Sequence, residues 1–450
     1  MSDIDLAVTG GLVYTCGDLR RCTLGVTDGR ISHVVDPEVT LDADRTLDAE
    51  GNLVLPGCVD AHVHVRAGDE REGVASATAA AAAGGVTTVF DMPNYPPTAT
   101  TPEHWNDIAT LYENEAHVDY SIFGHVNEES VGTGAVEQLS DTGTIAYKIF
   151  MSVDGSANPW VIRDKGDLYT AFEEIAGTGR PVWVHAEDDE YHAAFIERAE
   201  ERGLTGFDAF FESSPPIVET TAVSDLIDLA EETGVTTVVA HTSTAEALDR
   251  IARANADGIP IFAETTPYYL AFDEDRIRDI GSAGTVMPPV RDPENRQGLW
   301  DRLENRVDTL GTDHAPQFLE DKDHPPDEAS PGAPQLETAL PYMLTTVNDD
   351  CTTIETVVEL YAENPAKMLG LYPRKGTLQV GTDADIIIVD MDAEWTVDPE
   401  AFESRAKYSP FDGWTFSAQI ERTFVRGHEV ARDMQATDET PGELLSGDDR

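Results

Sequence analysis

Four histidines, one lysine and one aspartate carry most of the chemistry this sequence offers, and each lies in or beside an apolar run. His62 and His64 stand in the stretch GCVDAHVHVR, with Arg66 two places further on. Lys148 lies in AYKIFM, His185 in VWVHAE, His241 in VVAHTS, and Asp313 and His314 in LGTDHAP. Side chains alternate between the faces of an extended chain. The pattern therefore predicts His62, His64 and Arg66 on one side of a strand, and Ala61, Val63 and Val65 on the other. Two imidazoles at i and i+2 can hold one divalent ion. An arginine beside them can grip an anionic group. A histidine pair on a half-buried strand is by itself no more than a structural feature, so the rest of the chain decides.

The elements that must position these residues alternate. Strand patterns are expected over 57–64, 86–91, 118–124, 145–151, 181–187, 236–241, 260–264 and 307–313. Helical periods lie between most of them, at 74–83, 167–176, 190–202, 219–233, 245–256 and 293–305, and the weakest falls in 126–143. Eight such alternations match a TIM (β/α)8 barrel, an α/β fold whose active sites occupy the carboxyl ends of the strands. At that end fall His62 and His64, then Asp91-Met92-Pro93-Asn94, Lys148, His185, His241 and Asp313. The chain has 12 histidines, and four at one level of three strands point to a shared site. Helices are expected at 336–346 and 353–362. The Pro-, Asp- and Glu-rich residues 315–335 form a loop long enough to be expected as a lid.

Both ends of the chain read differently. Short β-type runs broken by Gly10-Gly11, Asp28-Gly29 and Glu50-Gly51 fill residues 1–55, and the texture returns in 376–432. They predict a small β-sandwich domain assembled from both termini, with the barrel over 56–375. Residues 433–450 are expected to be an acidic, disordered tail.

Net charge is −55, from 85 acidic and 30 basic residues. That excess argues against nucleic acid and anionic membranes as partners, because both require Lys and Arg. The acids are spread along the chain, so they read as a solvated surface suited to high salt, and the fold is expected to fail at low ionic strength. The four cysteines form no paired framework, and neither a secretory h-region nor a membrane-length apolar run is present. A cytoplasmic location is expected.

Four histidines and Asp313 can hold two divalent ions, but a group must bridge them. Lys148 stands among Ile145, Ala146, Ile149 and Phe150, and a buried ammonium beside two cations is prohibitive. Reaction of the amine with CO2 would make Lys148 an N6-carboxylated, anionic bridge.

The set HxH, Lys, His, His, Asp on eight strands resembles the amidohydrolase superfamily, in particular the cyclic-amidase branch of dihydroorotases, allantoinases and hydantoinases. The resemblance spans nearly the whole chain, including AKYSPFDG at 406–413. It implies that His62 and His64 hold one zinc ion, that His185 and His241 hold the other, and that Lys148 bridges while Asp313 completes the site as catalytic base. It further implies a small cyclic amide as substrate and a homodimer or homotetramer. The HxHxR and MPN motifs are similar to dihydroorotases, where the arginine and asparagine bind the substrate carboxylate; they fall on Arg66 and Asn94, with His314 alongside. Dihydroorotase, in pyrimidine biosynthesis, is therefore the expected activity. Two positions depart from that pattern: Met287 precedes Pro288-Pro289, and Gln317 follows His314-Ala315-Pro316. ETTPYYL at 264–270 and VMPP at 286–289 resemble allantoinases and hydantoinases instead. A scaffold that has lost catalysis is a third class, set aside because every ligand position is filled.

Overall fold

The computed structural model describes residues 3–153 and 158–447. Cys58–Val63 pairs in parallel with Val86–Asp91, and that strand pairs with Asp119–Ile122. The third strand runs on through Gly124–His125 to reach Tyr147–Phe150. Val182–His185, Thr237–Val239, Ile261–Thr265 and Thr309–Leu310 follow in sequence order, all parallel. The ring closes where the His64 N–H donates to the His314 carbonyl at 2.8 Å and the Asp313 N–H to the His62 carbonyl at 3.0 Å. Every expected barrel strand forms; Val86–Asp91 matches its apolar run, Ile261–Thr265 is shifted by one residue, and the others are shorter than their runs, by up to five residues at Thr309–Leu310.

Period-two alternation decides what enters the barrel. Ile149, Val182, Val184 and Val239 face outward into the large apolar cluster beneath the helices. Phe90, Phe123, Trp183 and Val238 form a separate inner cluster. Lys148 lies between the outward-packed Tyr147 and Ile149, so it points inward and is fully buried. The alternation expected through Arg66 does not hold. Register slips between Asp60 and Val63, so Ala61 joins the inner cluster while Val63 and Val65 join the outer one. Such a bulge re-aims side chains near a site. The strand ends at Val63, and Arg66 has φ +55°, so its placement comes from a turn rather than from the pleat.

Both chain ends share one sheet. Asp18–Arg21, Leu12–Thr15 and Leu53–Pro56 join Ile386–Asp390, Gln419–Val425, His428–Arg432 and Gln435–Ala436 in a seven-stranded array. A four-stranded sheet holds Arg30–Val35, Thr23–Thr27, Leu6–Thr9 and Arg45–Asp48. One apolar cluster, including Val8, Leu24, Val54, Ile386 and Phe424, draws on both.

The residues from 433 were expected to be disordered, and up to 447 they are docked. The N–H groups of Gly442, Leu445 and Gly447 donate to the carbonyls of Ala116 (2.9 Å), Tyr120 (2.7 Å) and Gly143 (2.8 Å). Leu445 is buried in the inner cluster. Acidic composition concealed one leucine that finds an apolar site and glycines that let the backbone approach closely. Residues 448–450 lie outside the described residues.

A buried charge cluster ties barrel to sheet. Lys375 Nζ lies 2.5 Å from Asp119, 2.7 Å from Asp385 and 3.1 Å from Asp383, and Arg426 also pairs with Asp119. Burial lowers the Lys375 pKa, but the three carboxylates outweigh it and hold the amine charged. Lys375→Met would leave buried carboxylates uncompensated, a loss of about 3–5 kcal/mol. It is expected to lower the urea midpoint of unfolding clearly; an unchanged midpoint would contradict this account of the cluster.

The loop expected as a lid covers the carboxyl end of the barrel. The Ala315 N–H donates to the Ala333 carbonyl at 3.0 Å, the Gly332 N–H to the Thr285 carbonyl at 2.9 Å, and Lys322 Nζ to the same carbonyl at 3.1 Å. Among the described residues, no helix is long and apolar enough to cross a membrane.

Candidate active site

The six expected ligands converge at the carboxyl end of the barrel. His64 Nε2 lies 3.1 Å and His62 Nε2 3.4 Å from Asp313 Oδ1. Lys148 Nζ is 3.3 Å from His62 Nε2. The rings of His185 and His241 are 4.6 Å apart, and that of His241 is 5.2 Å from His62. Asp313 adopts φ +50° and His241 φ +35°, so the turns after strands eight and six hold these side chains in sparsely populated backbone conformations.

Each imidazole of three is gripped by one nitrogen, which leaves the other for a metal. Glu264 Oε1 lies 2.6 Å from His62 Nδ1, Asn94 Oδ1 2.7 Å from His64 Nδ1, and Glu187 Oε2 2.8 Å from His185 Nε2. Such partners fix the tautomer and orientation of metal-binding histidines. His241 Nδ1 is buried with no hydrogen-bond partner among the described residues. Burial, then Lys148, holds His62 well below its ordinary pKa; burial, then His185, does the same for His241. Both are thus in the neutral, ligating form. The ligand atoms of His62, His64 and Asp313 lie within 4.8 Å of one another. This donor set fits divalent metal.

Burial lowers Lys148 to about 8, against the pull of Glu264 and Asp313. Loss of the proton is thereby eased, and only the neutral amine reacts with CO2. Burial pushes Asp313 up, and positive charge at the His62–His64 pair, whether on the imidazoles or on an ion they hold, pulls the carboxyl below its ordinary value. It is therefore a carboxylate, able to accept a proton.

A cavity of about 240 Å³ opens over these residues, walled by Phe150, Trp160, Met287 and Ala315 among others. Of the three residues expected to contact substrate, two face the cavity, and Arg66 is one of them. It lines the cavity, is 4% exposed, and its Nε has no hydrogen-bond partner among the described residues. Asn94 also lines the cavity, but its Oδ1 is committed to His64. His314 is not among the lining residues. Its Nδ1 accepts from the Gln335 N–H at 3.1 Å and its Nε2 faces Glu72 at 3.6 Å, so the ring braces the 315–335 loop. The backbone turn at Asp313 sends adjacent side chains in different directions.

The amidohydrolase family model matches residues 53–430. The chain belongs to the amidohydrolase family. Among its relatives, the L-hydantoinase of Paenarthrobacter aurescens is 35% identical over 436 residues, 95% of this chain and 94% of that protein. The allantoinase of Streptomyces avermitilis is 33% identical over 451 residues, 99% of each chain. The solved L-hydantoinase (dihydropyrimidinase) of Arthrobacter aurescens superposes with TM-score 0.94 at 32% identity, covering 98% of this chain and 100% of that one.

Sequence reading missed the groups that hold this amidohydrolase site in place. Glu264 Oε1 also accepts from the His241 N–H at 3.1 Å, and Oε2 accepts from Trp183 Nε1 at 2.9 Å. One carboxylate thus fixes both a side chain of the HxH pair and the backbone of the strand-six ligand. A Cβ on Gly311 would come within 2.9 Å of the Glu264 carboxylate, so glycine there makes the room. Asp60 accepts from the N–H groups of His62 and Thr312, each at 3.1 Å, joining strands one and eight. The signal was parity: Glu264 shares a strand face with Phe262, at the end where chemistry gathers. Glu264→Gln is expected to weaken metal affinity roughly 10- to 100-fold. Competition with a chelator measures this, and an unchanged affinity would remove the positioning role.

Proposed function

We propose that this amidohydrolase opens the ring of a hydantoin- or allantoin-type cyclic ureide with two divalent metal ions, zinc by preference. The observation that carries the reading is the convergence of four histidines, Lys148 and Asp313, with three of the imidazoles gripped from behind. The named activities of the relatives support the substrate class. His62, His64 and Asp313 would hold one ion, His185 and His241 the other, and N6-carboxylated Lys148 would link them. Metal bound there would acidify water and polarise the ring carbonyl. Asp313 takes the proton as the water oxygen bonds to that carbonyl carbon. It then delivers the proton to the ring nitrogen as the C–N bond breaks, so the nitrogen departs as the neutral NH2 of a ureido group. Phe150, Trp160 and Met287 limit bulk water around the ring.

The expectation of dihydroorotase gives way. Of the groups assigned to a substrate carboxylate, His314 faces Glu72 and Asn94 holds His64. Arg66 remains, and its buried guanidinium favours a second reading in which the ring carries an anionic substituent. A hydrolysis panel in high KCl with zinc decides: hydantoin, allantoin, dihydrouracil and dihydroorotate, on wild type and Arg66→Ala. Hydantoin or allantoin should be turned over best. Dihydroorotate as the best substrate, lost in Arg66→Ala, would overturn the first reading for the second.

We read residues 1–55 with 376–432 as one β-sandwich domain beside a barrel over 56–375, in a cytoplasmic homodimer or homotetramer. Light scattering tests the assembly.

A further inference from the structure

His185 and His241 stand on separate strands, and one side chain reaches the supports of both. Arg291 lies between Pro288-Pro289 and the helix Pro293–Trp300 and is 6% exposed. Its Nε donates to Ser243 Oγ at 3.0 Å, two residues past His241. Its Nη1 donates to the Ser214 carbonyl. The Ser214 hydroxyl in turn donates to Glu187 Oε1, and Glu187 Oε2 lies 2.8 Å from His185 Nε2. One guanidinium therefore joins the backing of the first histidine to the turn that follows the second.

The guanidinium fork is planar and rigid, so two of its donors fix the separation of the two groups that accept from them. Ser214 and Ser243 are both buried, where water does not compete for those bonds. Other contacts complete the clamp on the turn after His241. The Ser243 N–H donates to Glu219 Oε1 at 2.6 Å, and the Ser243 carbonyl accepts from Asn295 Nδ2 at 2.9 Å. Burial raises the Glu219 pKa, and the Arg291 charge opposes that rise. The HxH pair is gripped by other groups, His62 by Glu264 and His64 by Asn94. Glu264 also accepts from the His241 N–H and so serves both pairs, whereas the Arg291 guanidinium leads to His185 and His241.

We propose that Arg291 is a positioning residue for one ion of the pair, the ion held by His185 and His241. It acts through Ser243 on one side and through Ser214 and Glu187 on the other, and it sets the spacing of two rings that lie 4.6 Å apart. The inference rests on the two-metal part of the reading above and is independent of which ring is opened. Arg291 also lines a groove of about 1040 Å³ on the side away from the substrate cavity, so a small cation can enter the space that truncation would leave.

The test titrates zinc-loaded protein with a chelator and counts bound zinc by elemental analysis, with no substrate present. The wild type should hold two ions. Arg291→Ala should weaken one of them roughly tenfold or more, as loss of a group that orients metal ligands does, and leave the other within about twofold. Placed on His185→Ala, which keeps the HxH ion, the same change should alter the remaining affinity by less than about twofold, since the two sites share no Arg291 contact. Millimolar guanidinium should restore the weakened ion to Arg291→Ala, and an equal addition of KCl should not. A general loosening of the fold would be deepened by guanidinium rather than reversed. If Arg291→Ala does not fold, Ser243→Ala carries the test. It removes one of the two groups that Arg291 grips and should weaken the same ion roughly two- to tenfold, the worth of one hydrogen bond. A wild type with two ions whose variants weaken both equally, weaken neither, or lose one that guanidinium does not restore would overturn the role of Arg291 and leave the two-metal reading standing. A wild type that holds fewer than two ions after zinc loading would overturn the two-metal reading and this inference with it.

Discussion

Replacing Asp313 with alanine is expected to lower kcat roughly 100- to 10,000-fold, the range for losing a positioned acid–base group. KM should change far less, because the carboxylate acts on the proton in flight rather than on the bound ring. Metal content should be largely kept, since His62, His64, His185, His241 and Lys148 remain. Asp313 lies 3.1 and 3.4 Å from the two HxH nitrogens, and those contacts hold it ionised. An activity within a few fold of wild type would remove Asp313 from proton transfer and leave it a ligand only.

Lys148→Ala carries the second large effect. Lys148 is fully buried, 3.3 Å from a ligating nitrogen, and burial has already brought its amine down to about 8. As an ammonium it would repel divalent ions in a site of low dielectric. As a carbamate it supplies the negative charge that such a site needs. The alanine variant is therefore expected to purify with most of its metal lost and turnover near background. Short carboxylic acids such as acetate or propionate should restore part of both, because the vacated space admits a carboxylate. Intact-mass measurement under CO2 should show the wild type heavier by one CO2. A variant that keeps its metal and its rate would show that the lysine has no bridging role.

Much of the barrel was legible because parallel strands buried on both faces read as short apolar runs at regular spacing. The six ligands were legible for a related reason: polar residues are rare in such runs, and each stood at the same end. The sequence did not reveal the bulge at 60–63, because a register slip depends on how two strands pair rather than on one strand's pattern. Arg66 consequently reached the cavity by a turn with φ +55° that no alternation predicts. His314 was misassigned for the same reason, since adjacency to Asp313 in sequence does not survive the left-handed turn there. Asp60, Glu187 and Glu264 were overlooked because acids are the commonest charged residues in this chain. Only their burial, fully enclosed in each case, separates them from the solvated majority. The docked C-terminal segment was hidden by the same acidity, with Leu445 as its buried apolar anchor.

The central claim is that this site holds a pair of divalent ions between the HxH strand and the histidines of strands five and six. Elemental analysis of the protein, purified without chelator in high KCl and compared with His185→Ala, tests it directly. The account predicts about two divalent ions per wild-type chain, as two-metal hydrolytic sites require, and about one in the variant. A wild-type chain that binds no metal even after loading with zinc, or a variant that keeps both ions, would contradict it.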